Sequence, residues 1–151
     1  MKKIVIAGLV LLTSVAAAQA RVEWRGTGKI VKLTQACIDD GWAKKIKGNL
    51  RFRPSGLSDN GDRSGFSTIL SYNAFGVRLT GKFDGKLRKV DAYGISAGGW
   101  GPVKKAKFRF ASIKPSTYNE NTKKLKVVAE FTEYGGTPGC TMQWKGTLKK
   151  H

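Results

Sequence analysis

From Val22 onward the chain alternates apolar and polar residues with a period of two. In Phe75-Gly76-Val77-Arg78-Leu79-Thr80-Gly81-Lys82-Phe83 the odd positions are apolar or small, and Arg78, Thr80 and Lys82 face the other way. Ala106, Phe108 and Phe110 alternate with Lys105, Lys107 and Arg109. Met142, Trp144 and Leu148 alternate with Gln143, Lys145 and Lys149. That period belongs to a pleated strand with one buried face. It predicts eight strands, at Val22–Leu33, Lys47–Arg53, Phe66–Tyr72, Phe75–Phe83, Lys86–Ile95, Val103–Ile113, Leu125–Tyr134 and Cys140–Lys149. The one candidate helix is a turn or two around Ile38–Lys45.

Turn chemistry separates these runs. Asp84-Gly85 between two of them is a strong hairpin signal. Residues 58–65, 97–102 and 135–139 are rich in Gly, Ser, Asn, Asp and Pro and are predicted as loops. With no linker and no low-complexity tract, the expectation is one all-β domain over residues 21–151. An antiparallel barrel of about eight strands is favoured over a two-sheet β-sandwich. Cys37 follows the first strand and Cys140 begins the last. If the meander closes, those strands are antiparallel neighbours, and a Cys37–Cys140 disulfide would staple the seam. Its loop spans about 103 residues, for which chain entropy gives roughly 4–5 kcal/mol. Trp24-Arg25-Gly26-Thr27-Gly28-Lys29 and Trp144-Lys145-Gly146-Thr147-Leu148-Lys149 share a pattern in these same two strands. Without similarity elsewhere, it reads as coincidence or as parallel demands on two seam strands.

Composition supplies the compartment. Lys2 and Lys3, the apolar run from Ile4 to Leu12 and Ala18-Gln19-Ala20 form a secretory signal peptide over residues 1–20. About 15 uncharged residues fall short of the roughly 20 a membrane span needs. Cleavage near Ala20 would deliver the domain to the periplasm or outside a bacterial cell, where two cysteines pair. The chain carries 28 Lys and Arg against 10 Asp and Glu, a net +18. In a transmembrane barrel the polar faces would crowd a narrow lumen with cations, so the basic face is expected in water and the apolar face inside.

Candidate chemistry is sparse. The single histidine, His151, ends the chain, and the acids look dispersed, so no catalytic residues, metal ligands or cofactors are assigned and an enzyme is not expected. The charge is the positive signal. Residues 86–126 hold eleven cations against Asp91 and Glu120. Lys105, Lys107 and Arg109, extended by Lys86, Arg88 and Lys126, are the candidate anion-binding residues. For an exported protein the expected partner is an anionic envelope component: lipopolysaccharide, acidic lipid or acidic polysaccharide, with peripheral membrane contact. Nucleic acid would use the same electrostatics, but the compartment argues against it. Trp42 and Trp100 fall in predicted loops, as recognition aromatics or as caps over a barrel end. Two alternatives are a carrier of a small apolar ligand inside the barrel and an inhibitor of a secreted hydrolase, which would have a protein partner.

Overall fold

The structure is a computed structural model and describes residues 21–57, 63–71, 73–80, 85–96 and 99–151, the side chains of 95, 96, 99 and 100 excepted. The expected signal peptide, the tip of the 58–65 loop and Asp84 of the expected hairpin lie outside the described residues. Among those residues the strands are β1 (Trp24–Leu33), β2 (Lys47–Arg53), β3 (Gly65–Ile69), β4 (Ala74–Arg78) and β5 (Arg88–Lys89), then β6 (Ala92–Ser96), β7 (Gly99–Val103), β8 (Lys107–Lys114), β9 (Lys124–Phe131) and β10 (Met142–Lys150). They form one curled antiparallel sheet in the order β5-β8-β9-β10-β1-β2-β3-β4-β6-β7. A single sheet replaces the sandwich alternative.

Ten strands stand where about eight were expected, for two reasons. The expected strand Lys86–Ile95 is divided. Arg88 and Lys89 pair with Phe108 and Lys107 of β8, whereas Ala92, Tyr93 and Gly94 pair with Val77, Gly76 and Phe75 of β4. Between them Val90 N donates to Ala106 O (3.1 Å), and Arg78 N donates to Asp91 O (2.8 Å). One short stretch of chain therefore bonds toward both ends of the strand order, which requires the sheet to curl. The second correction is β7, which lies in a predicted loop. Gly99, Gly101 and Pro102 are poor strand formers, but β7 is an edge, where a residue without an N–H is tolerated.

The seam matches the expectation. β1 pairs antiparallel with β10, Thr27 lying opposite Thr147. The Cys37–Cys140 disulfide joins the chain beyond β1 to the chain before β10. The helix, α1 (Gln35–Asp39), starts three residues earlier than expected and runs for five. It carries Cys37 inward, and Gly41 at φ +88° turns the chain out of it.

The apolar face points inward and is packed with rings. Phe52, Phe66, Phe108, Phe110 and Phe131 are buried, with neighbouring centroids 5.0–6.2 Å apart. Trp24, Phe75, Tyr134, Met142 and Trp144 extend the same core. Truncating one such ring to Ala typically costs about 3–5 kcal/mol. Where β1 and β10 approach β2 the space narrows. A Cβ on Gly28 would stand 2.4 Å from Leu50 Cδ1, and one on Gly146 would stand 2.6 Å from the same atom. Leu50 fills the volume that those two side chains would need.

Candidate functional site

With the apolar residues inside, the polar positions of β2, β1, β10, β9 and β8 share the outer surface. Register sets them in rows. Lys47 lies opposite Lys29, Lys29 opposite Lys145, Lys145 opposite Val128 and Val128 opposite Ser112. The next row runs Asn49, Thr27, Thr147, Lys126 and Lys114, and the one after it Arg51, Arg25, Lys149 and Lys124. These three rows hold nine cations and no acid. Facing cross-strand positions lie only about 5 Å apart at Cβ, and like charges placed there are destabilising. Lys29, Lys47, Lys114, Lys126 and Lys145 border an open groove of about 770 Å³, lined between them by Thr27, Thr147 and Ser112.

Two acids stand at the margins of this face. Glu23, on the residue before β1, is contacted by Arg25 at 2.6 Å, Arg51 at 2.7 Å and Arg53 at 2.8 Å. Burial alone would raise its carboxyl, but hydrogen bonds from Arg25 and Arg53 and the charges of Arg53 and Arg51 together hold it below the usual range. At the other margin Glu130 lies opposite Arg109 and accepts from its Nε (2.9 Å) and Nη2 (3.1 Å), and Gln143 Nε2 donates to the same carboxylate. Burial again opposes ionisation there and is outweighed, so Glu130 also sits low. Both carboxylates are committed to cations and leave the lysines between them uncompensated.

The expected anion-binding residues do not form one cluster. Lys126 lies in the lysine groove. Lys107 is exposed on β8 opposite Lys89, and Arg109, two residues on, is held by Glu130. Lys105 falls in the turn before β8, not on the strand. Lys86 and Arg88 are exposed and have interaction partners of their own. Of the expected aromatics, Trp42 packs edge-on against Tyr134 (5.1 Å, 87°), and its Nε1–H donates to Asp40 Oδ2 at 3.1 Å. The same oxygen accepts from Thr137 Oγ1 at 2.7 Å, so Trp42 caps one end of the core beside the disulfide. The backbone of Trp100 lies in β7 opposite Ile95, and its side chain is outside the described residues.

Sequence reasoning passed over Lys29, Lys47, Lys114 and Lys145. A signal for two of them was present. The shared Trp-[Arg/Lys]-Gly-Thr pattern, laid antiparallel about Thr27 and Thr147, sets Lys29 against Lys145. Among the described residues no three His, Cys, Asp or Glu side chains stand close enough to hold a metal ion. The backbone N–H of His151 donates to Glu23 O at 2.8 Å. No protein-family model matches the chain, and no curated protein or solved structure matches it.

Proposed function

We propose that this is an exported, non-enzymatic protein that binds an anionic component of the bacterial envelope through the lysine face of its sheet, the phosphate-bearing surface of lipopolysaccharide or acidic lipid being the leading partner. The observation that carries the reading is the Lys47–Lys29–Lys145 row. Three like charges on adjacent strands cost stability in the free protein, and an anionic surface would relieve that cost. The five groove lysines lie within one or two strand spacings of their neighbours. Those distances are comparable to a Debye length of about 8 Å, so their potentials add.

We further read the curl as a closed barrel of eight chain segments. Residues 88–96 would count as one strand and 99–114 as its partner, the two closing the ring between β4 and β9. The residue 1–20 segment is proposed as a signal peptide that delivers this barrel to the periplasm or outside. The ring-packed core favours surface binding over the carrier reading, because a ligand inside would have to displace buried aromatics.

The test is sedimentation with vesicles that contain acidic lipid or lipopolysaccharide. Each lysine near such a surface contributes about 1 kcal/mol, so reversing three should weaken binding by more than about a hundredfold. Lys29→Glu, Lys47→Glu and Lys145→Glu together should abolish sedimentation, and added salt should mimic them. Binding unchanged by both would reject this reading. Binding of nucleic acid or acidic polysaccharide in preference to vesicles would redirect it.

A further inference from the structure

The outer surface changes character beyond β2. Lysines dominate from β8 to β1, but the far part of β2 and the strands after it carry arginines around a second groove of about 460 Å³. Arg53 lies opposite Gly65, and Gly65 opposite Arg78, so two arginines flank a strand position without a side chain. In the neighbouring row Arg51 faces Ser67, Ser67 faces Gly76 and Gly76 faces Tyr93. Arg53 and Arg78 are thus two strand spacings apart, about 10 Å at the backbone, and both arms line the groove. Arg63, just before β3, lines it as well, and Tyr93 borders it as one of the protein's exposed large apolar side chains, at 42%.

Glu23 gives this cluster a fixed part. It holds Arg51 and Arg53 from the β1 side at 2.7 and 2.8 Å. A guanidinium carries five donors, so donors remain on both groups. The backbone N–H of Arg78 donates to Asp91 O at 2.8 Å, so Asp91 lies beside the groove and enters the charge balance. The four groove arginines and Arg25, the third partner of Glu23, against Glu23 and Asp91 leave +3. That balance suits a phosphate monoester, which carries about −1.5 to −2 and three acceptor oxygens, better than a carboxylate. Planar guanidinium forks match such oxygens two at a time, as lysine does not.

From this geometry we infer a discrete phosphate-monoester site between Arg53 and Arg78, its ligand a phosphorylated sugar whose ring lies against Tyr93, presented either free or as a glycolipid headgroup. Ser67 and Gly76, the small residues of the neighbouring row, leave room for the phosphate beside the guanidinium groups. The site adjoins the lysine face through Arg51 but uses none of the five groove lysines, and it binds its ligand whether or not that face meets a membrane.

Calorimetric titration of the purified protein with glucose 1-phosphate, and flotation with vesicles displaying a phosphorylated glycolipid, distinguish the two sources. Saturable 1:1 binding in either arm is expected. Arg78→Lys keeps the charge but removes the fork and should weaken it at least tenfold. Gly76→Val fills the groove without touching an arginine and should do the same. Its new Cβ meets Ser67 Cβ at an ordinary 3.5 Å, so the strand should fold, as circular dichroism would verify. Tyr93→Ala should weaken the sugar phosphate but not inorganic phosphate. Lys29→Glu with Lys145→Glu, which disables the lysine face, should leave glucose 1-phosphate binding unchanged. Absence of saturable binding in both arms, binding indifferent to Gly76→Val, or glucuronate binding as tight as the phosphate would each overturn the inference.

Discussion

Lys29 stands directly opposite Lys145 where the first and last strands pair, with Lys47 opposite Lys29 on its other side. The arrangement is electrostatically unfavourable, and the two acids at the margins, Glu23 and Glu130, are bound to arginines. Folding energetics alone would place a Glu at one of these positions.

The first prediction follows from that cost. Lys145→Glu converts a like-charged pair into an opposite-charged one and should raise unfolding free energy by about 0.5–1 kcal/mol. The same change should reduce binding to acidic vesicles. Urea melts and vesicle sedimentation on one preparation check both. A variant that is less stable than the native protein would contradict the proposed repulsion.

Replacing both Cys37 and Cys140 with Ser should lower stability by about 4 kcal/mol, because the bond closes a loop of 103 residues. Thiol labelling of the unreduced, unfolded native protein should find no free thiol. Two labelled thiols per chain would exclude the seam staple in solution.

Glu23 and Glu130 make stability fall in acid. Each carboxyl titrates lower folded than unfolded, so its contribution is complete above the ordinary carboxylate pKa of about 4.3. It is lost as pH drops through the lowered folded value. Glu23→Gln should flatten the acid limb of a stability–pH curve. At pH 7 it should cost about 2 kcal/mol, because three arginines lose the negative charge they share and one of its two acceptor oxygens is replaced by a donor. An acid limb unchanged in Glu23→Gln would show that other groups control it.

Gly28→Ala should destabilise by about 1–3 kcal/mol through collision with Leu50. Leu50→Ala alone leaves a cavity and should cost about 2–5 kcal/mol. Combined, the new methyl group uses part of that cavity, so the double variant should cost less than the sum. Strict additivity in a double-mutant cycle would mean that the two residues do not compete for space.

How much was legible depends on what each signal encodes. Local alternation sorts side chains into two faces, and that sorting alone located β2 at Lys47–Arg53, the approximate extents of β1, β9 and β10, and the inward Phe108 and Phe110 beside outward Lys107 and Arg109. Cysteine positions then sufficed for the Cys37–Cys140 pairing, since both flank strands expected to be neighbours. Partner choice is not a local property. Val90 and Asp91 continue the alternation while the chain changes partner from β8 to β4, so one expected strand became β5 and β6. β7 is held by pairing with β6 despite Gly99, Gly101 and Pro102, which carry no strand signal of their own. Register decided the site. The extra residues at Val31 and Ala111 shift the pairing beyond them, and only the assembled sheet sets Arg109 against Glu130 and Lys29 against Lys145. The sequence determined that a strong positive charge would lie outside an aromatic core. Tertiary structure decided which cations are neutralised and which converge, because cross-strand neighbours are remote in the chain and are chosen by the packing of the whole sheet.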